Sequence, residues 1–171
     1  CPPVPRPADV VLTSSGGYPL DATFYQCVKG FVSCLPAVKP RGTIIACGGC
    51  TEGIGSAAYT ATMGAFSGRW RAFPAHIRGA GTFVKDQWQF QMHCRALAKV
   101  GTKHLHFVTA GLRTEELRTL SVTPCSVPRP AVQSTLQAMI DKAVAAGHSL
   151  AAFPDGPYCA PVSPPTEVTV L

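Results

Sequence analysis

No run of about 18 consecutive apolar residues occurs in the 171-residue sequence, and a membrane-crossing helix needs roughly that many, so no transmembrane segment is expected. No charged-then-apolar leader opens the chain, so no signal peptide is expected either. Charged residues are scarce, 14% against 46% apolar, which is the opposite of a disordered chain. The formal charge is +6, but the basic residues are scattered, with no run of five or more. That excludes a basic nucleic-acid-binding arm and leaves a mild positive field that suits a small anion. A Walker Gly-Lys-Ser/Thr and a Gly-x-Ser-x-Gly elbow are both missing, so neither a P-loop nor a hydrolase triad is in prospect.

What is present suggests one domain with a real core. The opening Cys-Pro-Pro-Val-Pro-Arg-Pro reads as a stiff interdomain linker over residues 1–8. An α/β domain is expected over 9–162 and a loop-like tail over 163–171. The chain starts at Cys1 and not at Met, which reads as a fragment, a processed chain or an excised domain. Eight cysteines allow a disulfide reading, but Cys27 and Cys34 fall inside a helical pattern and Cys47 ends an apolar run. Buried free thiols in a reducing cytoplasm are therefore expected.

Along the chain, apolar runs alternate with helical patterns. Asp9–Thr13 reads as a buried strand. Asp21 is the expected N-cap of a helix from Ala22 to about Val38, with Phe24, Val28, Phe31, Val32 and Leu35 on one stripe and Pro36 shortening it. Tyr25, Gln26 and Lys29 lie along the edge of that stripe. Gly42–Cys47 reads as the next strand, followed by a glycine-rich loop and a helix over 56–66. Residues 68–82 read as irregular. Asp86 is expected to cap a helix to about Lys99, His104–Thr109 is a strand, and Thr114 caps a short helix to Leu120. A short strand over 121–123, a long helix from Pro130 and a strand over 149–153 complete the pattern. This order predicts a Rossmann-like three-layer fold, a largely parallel sheet with flanking helices.

Several constellations carry chemical meaning. "TSSGGYPLDATFYQCVKG" (13–30) places two glycines, a turn and a helix start at the carboxyl end of a strand, where open α/β sheets bind ligands. A helix N-terminus favours negative charge, and Tyr25, Gln26 and Lys29 add a hydroxyl, an amide and a cation. The competing reading is a surface lysine beside a packing tyrosine. "GIGSAA" (53–58) matches Gly-x-Gly-x-x-Ala, but its strand ends several residues early and no acidic residue follows about 20 positions on. Cys47-Gly-Gly-Cys50 has redox spacing, and two unrelated thiols beside a turn is the favoured reading because no second pair stands at metal-finger spacing. His104 and His106 share a strand face without an evident third ligand. Trp88 is read as either core or the wall of a pocket.

The stretch over 13–30 resembles the lactate racemase family that uses a nickel-pincer nucleotide. "EGIGSAAY" (52–59), "DQWQFQ" (86–91) and "FPDGPYCAP" (153–161) resemble the same family in the same order. The resemblance runs from about Arg6 to Pro161 and covers the family's C-terminal domain. It implies a cofactor that takes a hydride from the α-carbon of a 2-hydroxy acid such as lactate and returns it to either face of the planar keto acid. A histidine removes the hydroxyl proton. By the same resemblance Gln26 and Lys29 are the polar pair facing substrate and cofactor, Tyr25 is their neighbour and Trp88 lines the pocket. The cofactor-bearing lysine, the nickel-binding histidine and the acid–base histidines belong to an N-terminal domain that this chain does not contain, so the isolated domain is expected to be inactive. A free-standing small-anion or nucleotide-binding module is the alternative.

Overall fold

The computed structural model describes residues 6–159 and 161; most of the expected linker and all of the expected tail lie outside the described residues. Five strands form one sheet: β1 (Ala8–Ser14), β2 (Val38–Cys47), β3 (Leu105–Thr109), β4 (Thr123–Ser126) and β5 (Leu150–Phe153). Their order is β4-β3-β2-β1-β5, and every pairing is parallel. Parallel neighbours require crossovers. These are supplied by α1 (Phe24–Ser33), by α2 (Ala57–Ala65), α3 (Phe73–Gly79) and α4 (Gln87–Val100), by α5 (Thr114–Thr119) and by α6 (Val132–Ala145). The chain adds strands in one direction from β1 to β4 and then crosses back to β5, so the order reverses at β1.

Strand alternation divides the core into the two halves of a three-layer fold. Val11, Ile44, Ala46, Leu105 and Phe107 join the buried residues of α1 and α4. Their neighbours Val10, Ile45 and Val108 face the other way, towards Ala143 of α6. The stripe expected on α1 is buried at Phe24, Val28, Phe31 and Leu35, and Val32 packs against it half-buried. Gly156 sits where a Cβ would come within 2.2 Å of the Ser14 carbonyl oxygen. The turn after β5 therefore presses directly on the end of β1. At the opposite edge Asp9 accepts hydrogen bonds from Lys39 and Ser149, which hold its carboxyl well below the usual range and tie β1 to both neighbours.

Several boundaries differ from expectation. α1 stops at Ser33; Pro36 lies in a 3-10 turn over Leu35–Ala37, and Val38 already belongs to β2. That strand begins four residues before Gly42. Between the pairs Ala8↔Val38 and Val10↔Thr43 its register slips, with Arg41 at φ 62°, so the Lys-Pro-Arg segment forms a bulge. Residues 68–82 are partly helical: a 3-10 turn at Trp70–Ala72 leads into α3, started by Pro74 in its first turn. His104 precedes β3 in a 3-10 turn, so it does not share a strand face with His106. β4 lies at 123–126 rather than 121–123, and α6 begins two residues after Pro130, which sits in the preceding 3-10 turn. α5 is capped at Arg113 rather than Thr114, with Glu116 accepting from the Arg113 backbone at 2.9 Å.

Candidate functional site

Gly16 and Gly17 both adopt positive φ, 84° and 74°, and turn the chain sharply after β1 as expected. The helix start itself is different. Asp21 does not cap α1; Thr23 does, in extended geometry, with its hydroxyl accepting from the Gln26 N–H. The loop makes one more turn first, since the Asp21 N–H donates to Gly17 and the Ala22 N–H to Pro19. The Asp21 carboxylate instead accepts from the Gly49 N–H at 2.7 Å, joining the loops that follow β1 and β2.

The first N–H groups of α1 are also occupied. Phe24 donates to the Gly53 carbonyl at 3.0 Å and Tyr25 to Ile54 at 2.9 Å. The orphan donors that make a helix start attractive to anions are thus satisfied inside the protein. This corrects the expectation that the α1 N-terminus grips a negative group, and it explains the early glycines of "GIGSAA". That loop supplies carbonyls to α1. At Gly55 a Cβ would lie 2.9 Å from the Tyr25 Cβ, so the glycine permits close packing on Tyr25.

Tyr25 is held on every side. Its ring meets Tyr59 edge-on at 5.1 Å and Trp88 edge-on at 5.9 Å. Its main-chain carbonyl accepts from Gln89 Nε2 at 2.6 Å. Burial and the adjacent Asp86 carboxylate raise its phenol pKa. Trp88 is 43% exposed, so it is not core: it packs against Tyr25 and leaves part of its surface to solvent. One position along α1, Gln26 Oε1 is buried with no hydrogen-bond partner among the described residues. One turn further on, Lys29 is half-buried, and no described carboxylate forms an ion pair with it. Tyr25 on α1 and Trp88 on α4 are therefore in contact, while Gln26 and Lys29 stand beside Tyr25 on α1.

Other sequence candidates separate. Cys50 lies 3.7 Å from Cys27, sulfur to sulfur, whereas the Cys47 thiol faces the Thr13 carbonyl. The Cys-x-x-Cys is not a pair, as its favoured reading held. Every described cysteine is a free thiol, and burial pushes Cys34 and Cys94 up to about 12, which keeps them protonated. No group of three His, Cys, Asp or Glu side chains among the described residues could hold a metal. No helix among them is long and apolar enough to cross a membrane.

An open cavity lies elsewhere. A cavity of about 930 Å³ is lined by Ser14, Asp21, Gly49 and Gly111 from the strand-end loops and by Arg129 and Leu136 from the α6 side. None of Tyr25, Gln26, Lys29 or Trp88 lines it. Two residues near the α1 site are not legible as such in the sequence. Asp86 was expected as a cap, yet its carboxylate accepts from Ser56 at 2.6 Å and its side chain makes no cap bond to α4. Gln89 carried no signal beyond its place in "DQWQFQ".

A family model described as the lactate racemase C-terminal domain matches residues 4–156. The chain belongs to that family. The lactate racemase of Thermoanaerobacterium thermosaccharolyticum is 33% identical over 129 residues, covering 70% of this chain and 28% of the relative. The lactate racemase of Lactiplantibacillus plantarum is 29% identical over 102 residues, 59% of this chain and 23% of the relative. The structure of the lactate racemase apoprotein from T. thermosaccharolyticum superposes with a TM-score of 0.74 at 26% identity, covering 94% of this chain and 36% of that one. The chain thus spans under a third of the length of the curated racemases it matches, and the α/β architecture is theirs.

Proposed function

We propose that this domain supplies one wall of the active site of a lactate racemase-like isomerase, the other wall coming from an N-terminal domain. The observation that carries the reading is the helix edge of α1 within a racemase C-terminal-domain fold. There an immobilised Tyr25 is followed by a buried amide oxygen and a lysine that have no hydrogen-bond partner and no ion pair, respectively, among the described residues. Unpaired buried polar atoms are costly, and a ligand or a second domain that completes them offsets that cost.

Lys29 attracts the carboxylate of a 2-hydroxy acid and stabilises negative charge as the α-carbon reacts. Gln26 orients the polar end of the substrate from one position earlier on the helix. Trp88, flat and partly exposed, closes over the site and excludes water. The donor set also bears on the family's nickel-pincer nucleotide. A lysine, an amide and a phenol are poor ligands for nickel, which prefers imidazole and thiolate, but they suit the face of a cofactor held by another domain. Gln26 and Lys29 are the residues that would face it. When bound, that group supplies the hydride chemistry, and the protein's part here is orientation and electrostatics. Free thiols such as Cys47 and Cys125 support the reading of a reducing, cytoplasmic compartment.

The test is a racemisation assay with D- and L-lactate followed by optical rotation. It is run on this chain alone and on the chain mixed with a cofactor-loaded N-terminal domain of the family. Activity in the mixture only is the expected result, and turnover by this chain alone would refute the half-site reading. The α6-side cavity favours a second reading, a small-anion or nucleotide-binding module. Binding of a mononucleotide at micromolar levels by the isolated chain, together with silence in the mixed assay, would support that reading instead.

A further inference from the structure

Gln89 stands in the first turn of α4 and is 1% exposed, an uncommon depth for a side-chain amide. Its Nε2 donates to the Tyr25 main-chain carbonyl at 2.6 Å. A carbonyl only accepts, so the nitrogen end of the amide has to face it. The other end, Oε1, is left buried with no hydrogen-bond partner among the described residues. Such an atom is costly, and a methionine of nearly the same size would fill the space without that cost. A glutamine at this position is therefore explained by the bond it makes and not by packing.

The acceptor matters because of its place in α1. In an α-helix the carbonyl of residue 25 receives the N–H of residue 29, and both residues lie within α1. A carbonyl oxygen has two lone pairs. Gln89 occupies the one that the helix leaves over, on the turn that carries Lys29. We propose that Gln89 is a positioning residue of the racemase site: its amide locks this turn of α1 and with it the directions in which Gln26 and Lys29 project. The inference rests on the function proposed above. The residue before Gln89 is Trp88, whose ring meets the Tyr25 ring at 5.9 Å. One turn of α4 thus holds both the side chain and the main chain of Tyr25, and Trp88 and Lys29 become parts of one rigid frame. A displaced cation loses its hold on developing charge. Gln89, itself buried, acts on the reaction through Lys29 and not on the substrate.

Two variants of nearly the same shape test this. Gln89→Met removes the donor and keeps the volume. In the 171-residue chain, amide hydrogen exchange followed by nuclear magnetic resonance is expected to quicken at Lys29 about tenfold relative to Val11 of β1, the size of one hydrogen bond. Lys29 exchange that stays the same, or changes only in step with Val11, overturns the inference. In the full-length enzyme Gln89→Met is expected to lower kcat/KM for lactate about tenfold at every pH. Gln89→Glu adds a titration. A protonated carboxyl donates to the Tyr25 carbonyl as the amide does, whereas an ionised one only accepts and repels it. Turnover of Gln89→Glu relative to wild type is therefore expected to fall as pH rises between about 5 and 9, where a buried glutamate ionises. Loss of packing alone would produce no such slope. An active wild type beside an equally active Gln89→Met, or a Gln89→Glu whose relative turnover is flat with pH, overturns the inference alone. A full-length wild type that racemises no 2-hydroxy acid overturns the function on which it rests.

Discussion

The two faces of the sheet are built differently. On the α1 and α4 face, Phe24, Phe31, Phe90 and Phe107 are completely buried; the first three pack around His93 and Phe107 meets Phe24 edge-on. On the α6 face the fully buried hydrophobic cluster among the described residues is Val10, Ile45, Val108 and Ala143, and Val144 and Leu150 are 58% and 37% exposed. The proposed catalytic edge stands on the thick face, and the large cavity opens on the thin one. Groups that must hold a substrate to a fraction of an ångström need rigid support, and a dense aromatic core provides it. Cavity volume alone would have pointed to the wrong side of the sheet for the chemistry proposed here.

The contrast can be broken most strongly at β3, whose neighbouring residues face opposite ways. Phe107→Ala is expected to cost about 3–5 kcal/mol in urea unfolding, against roughly 1–2 kcal/mol for Val108→Ala, where fewer carbons leave the core. Equal losses would show the faces to be equally packed. Next in size, Lys29→Ala in the full-length enzyme is expected to lower kcat about 10²–10³-fold, the cost of one charge-stabilising donor. Thermal stability should be unchanged, and Gln133→Ala at the cavity should leave turnover as it is. Near-normal turnover of Lys29→Ala would remove the role assigned to that residue.

A smaller effect comes from His93. Both of its ring nitrogens are buried without partners among the described residues, and burial pushes its pKa down to about 3 from 6.5. Below pH 6.5 the unfolded chain binds a proton that the native chain refuses until about pH 3. The contribution is therefore fully present above pH 6.5 and is lost as pH falls through that window. At pH 4.5 the loss is about 2–3 kcal/mol, and His93→Leu should flatten the pH dependence measured by denaturant titration between pH 7 and 4.5. The smallest change is expected on the thin face, where Val144→Ser should move stability by less than about 0.5 kcal/mol. A larger loss would mean that something covers α6.

Much of the fold was legible because it depends on local pattern. The apolar stripe of α1 and the short apolar runs of β1 and β3 state their own period, and their alternation predicts a parallel sheet. Boundaries were less legible where neighbours intervene. The β2 bulge exists because β1 is its template, and α1 starts at Phe24 because the Gly53 and Ile54 carbonyls reach its first N–H groups. Tyr25, Gln26 and Lys29 could be named from helical spacing and Trp88 from resemblance, but the contact of Tyr25 with Trp88 joins residues 63 positions apart, and no spacing argument spans that distance.

The sequence by itself determined the α/β class, the apolar faces of the helices, the family and the residues that form the α1 edge, because period, turn chemistry and motif order are properties of neighbours along the chain. Only the tertiary structure decided that the α1 N-terminus is sealed, that Asp21 bonds the Gly49 loop and Asp86 the Ser56 hydroxyl instead of capping helices, and that the cavity lies apart from the proposed site. Hydrogen bonds are short and directional. Which donor meets which acceptor is therefore fixed only once the sheet has brought distant loops to one edge.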